Sequence, residues 1–122
     1  MLDTTHHSQQ VDAVFALAPV VPVITIARLA DALPLARALA DNGLPVLEVT
    51  LRTACALEAI ALIARELPTA CVGAGTVLNA RDLDAVAHVG ARFAISPAAT
   101  DTLYSSSNIQ PMTQATISPK AT

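Results

Sequence analysis

Glu48 stands in the middle of an apolar run, Val46-Leu47-Glu48-Val49-Thr50-Leu51, and Arg52 follows it by four residues. A carboxylate in such a run is costly unless it is paired, solvated or neutral. The alternation of a strand puts Val46, Glu48, Thr50 and Arg52 on one face and Leu47, Val49 and Leu51 on the other. A glutamate that trades protons beside an arginine that binds an anion is general acid/base chemistry on an acidic substrate. The competing reading is a Glu48–Arg52 ion pair that only closes the end of the structure.

Gly73-Ala74-Gly75-Thr76 is the second place where chemistry is legible. Small residues let a ligand or a backbone come close. Exposed N–H groups and the Thr76 hydroxyl suit a carboxylate or a phosphate. Tight helix–strand packing explains the same residues, and the third glycine of a dinucleotide fingerprint is missing. Ser96-Pro97 reads as a strand stopped by proline or as a pocket wall. His6-His7 reads as solvated, and His88 as a cation at a helix C-terminus. No His/Cys/Asp group has metal-ligand spacing, so neither a metal nor a cofactor is expected. Cys55 and Cys71 form no CxxC pair and read as reduced thiols in a cytosolic core.

The elements that must position these residues repeat one pattern. Val20–Ile26 is a β-branched apolar run, with Pro22 marking a strand start or an edge. Asp31–Asn42 has helical apolar spacing, Asp31 as a plausible N-cap, Pro34 in the first turn and Gly43 as a stop. Val46–Leu51 is a strand, and Cys55–Leu67 a helix with Leu57, Ile60, Ala61 and Ala64 on its apolar stripe. Ala70–Gly75 is a strand. A helix capped by Asn79 or Asp82 then reaches His88, Gly90 ends it, and Phe93–Ser96 is the fourth strand. A further helix, Gln9–Leu17, precedes the first strand.

Alternating strands and helices imply a parallel sheet with right-handed crossovers. Short linkers and nearly equal units predict an arc of a (β/α)8 barrel over a doubly wound sheet. A whole barrel takes about 250 residues, and this chain of 122 residues holds four units, about half of one. Glu48 would then face the barrel interior near the C-terminal ends of the strands, where such barrels keep their active sites.

Composition removes other classes. The chain is 53% hydrophobic, too apolar for a disordered protein. Its net charge is −3 and its aromatics are Phe15, Phe93 and Tyr104, so no nucleic-acid partner is expected. No apolar run reaches the roughly 20 residues of a membrane span, so no membrane partner is expected either. The polar start, Met1–Gln10, does not read as a signal peptide. The predicted division is a frayed leader over 1–8, a partial barrel over 9–100 and a divergent tail over 101–122. The tail is rich in Ser, Thr, Asn and Gln, holds the single lysine Lys120 and is expected to be mostly disordered.

Four strings carry a resemblance: P-V-V-P-V-I at 19–24, L-E-V-T-L-R-T at 47–53, V-G-A-G-T-V-L at 72–78 and F-A-I-S-P at 93–97. In this order and spacing, from about Val14 to Tyr104, the chain resembles bacterial 2-keto-3-deoxy-6-phosphogluconate (KDPG) aldolases, which also cleave 4-hydroxy-2-oxoglutarate. The resemblance implies a cytoplasmic homotrimer of (β/α)8 barrels and a class I lyase of the Entner–Doudoroff pathway. Such an enzyme splits its keto-acid substrate to pyruvate and glyceraldehyde 3-phosphate. A lysine forms a Schiff base with the ketone, and the protonated imine takes up electrons as the carbon–carbon bond breaks. By motif match Glu48 is the proton-transferring glutamate. Arg52 and Thr76 match the residues that bind the substrate carboxylate, and Pro97 matches the pocket wall.

The chain departs from the family after Tyr104. The aromatic-flanked lysine segment and the phosphate-binding loops of the later strands do not occur in it. Lys120 stands in a different context and is not expected to be the nucleophile. The abrupt change of composition suggests a truncated product arising from a reading-frame change. The alternative function is therefore an inactive half barrel that self-associates through open strand edges at Val20–Ile26 and Phe93–Ser96, or complements a separate C-terminal half. A related barrel lyase or epimerase for another keto acid is a third reading, against which the E-V-T-L-R string argues.

Overall fold

The computed structural model describes residues 20–96 and a short strand at Ala115–Thr116. The leader, the expected helix Gln9–Leu17, Pro97 and Lys120 lie outside the described residues. Strand β1 is Val23–Ile24, and a single 3-10 turn at Leu29–Asp31 leads into helix α1, Ala32–Asp41. Then come β2 (Val46–Thr50), α2 (Ala56–Glu66), β3 (Cys71–Gly75), α3 (Ala80–His88), β4 (Phe93–Ile95) and β5 (Ala115–Thr116).

The strands lie in chain order, β1-β2-β3-β4-β5, and the first four are parallel. A doubly wound sheet reverses its strand order at a switch point. This sheet does not, as expected for a barrel arc. The layering agrees. Leu47, Val49, Val72, Ala74 and Ala94 point from the strands into one core with the helices. Val46, Cys71 and Phe93 form a second cluster on the opposite, inner face, with Val21 and Ile95 against it.

Several local expectations change. Asp31 does not cap α1 with its side chain. Its carboxylate instead accepts two hydrogen bonds from Arg28, from Nε at 3.2 Å and Nη2 at 3.1 Å. The 3-10 turn leaves Asp31 in helical backbone (φ −88°, ψ −12°), a geometry from which the side chain does not cap the first turn. Asn79 is the real cap, its Oδ1 accepting from the Asp82 N–H at 2.8 Å. The buried stripe of α2 is Ala56, Ala59, Ile60 and Ile63, while Leu57 is exposed and Ala61 and Ala64 are only half-buried. Docking onto β2 and β3 selects that face, which spacing within the helix does not fix. Gly43 ends α1 with φ +86°, a conformation glycine adopts without a Cβ clash.

The edge of β4 is not open. Ala115–Thr116 pairs with it antiparallel, Phe93 opposite Thr116 and Ala94 opposite Ala115. This short strand lies within the tail expected to be mostly disordered. Among the described residues β1 alone leaves a parallel strand unpaired on one side.

Candidate active site

The inner face of the sheet builds the site row by row. Glu48 stands in register between Val23 on β1 and Gly73 on β3, and Gly73 in turn pairs with Phe93 on β4. Thr50 pairs with Gly75, and Gly75 with Ile95, in the next row towards the strand C-termini. Glu48 therefore projects where the sequence placed it, on the face away from the helices.

Both glycines of the Gly-Ala-Gly string face inwards, and their missing side chains are used. A Cβ on Gly73 would collide with the Phe93 ring, and one on Gly75 would collide with the Glu48 carboxyl. The close approach is made by this chain's own side chains across the sheet. Helix packing does not explain it. Ala74, between the two glycines, is the residue that meets the helices.

The Glu48 carboxyl is half-buried and has no hydrogen-bond or ion-pair partner among the described residues. Burial disfavours its charged form and pushes its pKa above the ordinary carboxylate value. Such a group holds a proton at a higher pH than a solvated glutamate does and can both give and take one. Arg52 forms no pair with it, and the ion-pair reading is overturned. Arg52 lies exposed in the turn after β2, and Thr76 lies exposed just after β3. The two lie at the C-terminal ends of adjacent strands, a cation and a hydroxyl whose side chains have no hydrogen-bond or ion-pair partner among the described residues.

The rim is tied together by backbone and side-chain bonds. The Leu51 N–H donates to the Gly75 carbonyl at 2.7 Å, and the Val77 N–H to Ile95 at 2.9 Å. The Cys55 thiol donates to the Ile26 carbonyl at 3.2 Å, anchoring the turn that carries Arg52 to the end of β1. Ser96 is buried at the end of β4. Sequence reasoning missed the Cys55 anchor, and it missed a hydroxyl pair, Thr25 Oγ1 to Thr50 Oγ1 at 2.9 Å. Thr25 continues the alternation of Val23 and could have been placed on the inner face. Its partner across the sheet could not have been named. Cys71 is buried on that face, and burial raises its thiol pKa against the opposing pull of Arg92.

A shallow groove of about 190 Å³ lies elsewhere, between the first turn of α2 and α3, against Leu51, Leu57, Asp82 and Val86. It is on the helix side of the sheet, and Glu48 does not line it. No group of acidic, histidine and cysteine side chains among the described residues could hold a metal. No helix there is long and apolar enough to cross a membrane.

Four parallel strands in chain order, helices on one face and a half-buried acid near the C-terminal rim of the other define half of a (β/α)8 barrel. Residues 11–117 match the KDPG and KHG aldolase family, and the chain belongs to that family. It is 53% identical over 92 residues to the KHG/KDPG aldolase of Escherichia coli K12, covering 75% of this chain and 43% of that protein. The KDPG aldolase of Zymomonas mobilis ZM4, solved with 3-phosphoglycerate, superposes with a TM-score of 0.73 at 55% identity, over 79% of this chain and 46% of that one. The Legionella pneumophila KDPG aldolase, solved with pyruvate captured as a covalent carbinolamine intermediate, gives 0.73 at 51% identity, over 77% and 46%. The chain thus spans less than half the length of these relatives.

Proposed function

We propose that this chain carries the proton-transfer and carboxylate-binding part of a class I aldolase site acting on KDPG and 4-hydroxy-2-oxoglutarate. The observation that carries it is the partnerless, half-buried Glu48 carboxyl over Gly75, with Arg52 and Thr76 at the strand C-termini. In this reading the ketone is held as a protonated imine. As the carbon–carbon bond breaks, its electron pair moves to the imine, the C4 hydroxyl becomes an aldehyde, and Glu48 takes up the hydroxyl proton. Arg52 and Thr76 hold the substrate carboxylate, and Pro97 forms a wall of the pocket.

The matched residues 11–117 contain no lysine, so the imine-forming amine lies outside the matched segment. The reading places the chain in the cytoplasm, with the assembled enzyme a trimer. It also takes 9–100 as one partial barrel unit.

A chimera tests this, with the matched segment of this chain replacing its counterpart in the Zymomonas enzyme. The chimera is expected to cleave KDPG. Glu48→Gln in it is expected to lower kcat by about 100-fold or more, the usual scale for a lost acid/base group. Full activity of the Glu48→Gln chimera overturns the assignment. The unpaired side of β1 favours a second reading for the chain by itself, a half barrel that pairs with another chain through that edge.

A further inference from the structure

The proposed reaction uses Pro97 of the F-A-I-S-P string and gives the Phe93 ring no task. That ring is fully buried on the inner face. Its root is fixed from both sides. Phe93 pairs in register with Gly73 on β3 and with Thr116 on β5, and the neighbouring Arg92 N–H donates to the Val72 carbonyl at 2.8 Å. From that root the ring reaches one strand across the sheet, and its Cδ2, Cε2 and Cζ atoms stand where a Cβ on Gly73 would be. Gly73 is the register partner of Glu48 on its other side. The ring therefore fills the place next to Glu48 in the acid's own row. The row below carries the buried Cys71 on β3. The row above holds Gly75, and there the Glu48 carboxyl lies, in the space of the missing Cβ. On β3 the carboxyl thus occupies the glycine place that the ring leaves free.

We propose that Phe93 is a positioning residue for Glu48: its ring closes the place over Gly73 and so holds the carboxyl over Gly75, in the rim row. The inference rests on the acid/base reading of Glu48 and adds the group that aims it. A glutamate side chain turns about several bonds, and keeping it in one arrangement takes neighbours that exclude the others. No hydrogen bond does this here, because the carboxyl has no polar partner among the described residues. Exclusion by shape is what remains. A stiff ring rooted in a paired strand blocks the carboxyl without offering it a bond. A hydrogen-bond donor in the same place would favour the charged form and weaken the acid as a proton carrier. Two missing side chains and one large one thus define where the acid points.

Phe93→Val tests this, since it removes the ring atoms that cover Gly73 and keeps a residue suited to a strand. Proton NMR of the full chain reads the outcome. In the parent, nuclear Overhauser contacts from the Glu48 Hγ protons are expected to the Gly75 Hα protons and to the Phe93 ring. In Phe93→Val the Gly75 contact is expected to give way to one with Gly73. Phe93→Val combined with Gly73→Ala refills the place from β3 and is expected to restore the Gly75 contact. In the chimera the same changes should move kcat and spare KM. Phe93→Val is expected to lower kcat by about tenfold or more, the scale of a displaced catalytic group, and the combined variant to recover it. A mere loss of packing gives no such recovery. A Glu48 contact that stays at Gly75 in Phe93→Val overturns the proposal. If Phe93→Val does not fold, the unaltered chain decides: a contact between the Glu48 Hγ protons and the Phe93 ring upholds the proposal, and its absence overturns it. The two readings fail separately. A chimera indifferent to Glu48→Gln removes the acid/base reading, while a shifted contact still shows the steering. An unshifted contact beside a chimera that loses activity with Glu48→Gln removes the steering alone.

Discussion

The Glu48 carboxyl fills the space that a side chain on Gly75 would need, two strand residues beyond its own register partner Gly73. The acid thus leans towards the strand C-termini, into the row that holds Thr50, and that lean makes it a rim residue.

Gly75→Ala and Gly73→Ala should therefore behave differently. The Cβ at position 75 meets the end of a flexible carboxyl, which can swing towards water, with Ile95 Cβ at 3.3 Å. The Cβ at position 73 meets the buried Phe93 ring, which has no exit. Urea unfolding should show a loss under about 1 kcal/mol for Gly75→Ala and one of about 2–3 kcal/mol for Gly73→Ala, the scale of core overpacking. NMR titration of Gly75→Ala should also show the Glu48 midpoint falling towards that of a solvated glutamate, since displacement removes its burial.

The raised pKa of Glu48 has a signed consequence for stability. The folded chain holds this proton more tightly than the unfolded chain does. The contribution is thus fully present below the ordinary value of 4.5 and is lost as pH rises through the folded pKa. Above that point the fold carries a partly buried charge. Glu48→Gln should unfold at a higher temperature than the parent at pH 7 and lose that advantage by about pH 4. The gain should stay below about 1 kcal/mol, because the group is only half-buried and water screens it. Thermal melts across this pH range read the outcome, and a Glu48→Gln protein less stable at pH 7 would contradict it.

Capping offers a cleaner contrast. Asn79 and Asp31 look alike in the sequence as helix starts, yet only Asn79 bonds the first turn of its helix. Asn79→Ala should cost about 1 kcal/mol. Asp31→Ala should cost a few tenths at most, since it breaks an exposed ion pair with Arg28. Denaturant midpoints of the two variants compare them directly.

Those two caps also show what a single sequence carries. Strand alternation placed Glu48, Leu47 and Val49 on their faces, because a period of two leaves only two choices. Helical spacing put Leu57, Ile60, Ala61 and Ala64 on the apolar stripe of α2, and of these Ile60 is fully buried. The sheet takes a face turned from that stripe, on which Ala56, Ala59 and Ile63 are buried with Ile60. The Thr25–Thr50 pair and the cradle over Gly75 depend on register between strands about 25 residues apart. Nothing within either strand encodes that register. Asp31 failed as a cap because a preceding 3-10 turn changed its backbone, and Arg28 was near enough to claim its carboxylate.

Association should run through β1. The outer side of β4 is already paired by Ala115–Thr116, so among the described residues the parallel strand left unpaired on one side is Val23–Ile24. Val20 and Val23 are 58% and 62% exposed there, an apolar edge of the kind that invites pairing. Sedimentation of the purified chain should show concentration-dependent association. Val23→Lys should weaken it by about tenfold or more, because a charge on an edge strand opposes its addition to another sheet. Val23 also borders Glu48 in register, and a lysine there would draw the Glu48 midpoint down. The same variant thus reports on edge and site together. A chain that sediments as a monomer at all concentrations, with a sharp concentration-independent unfolding transition, would show that the open side of β1 does not recruit a partner.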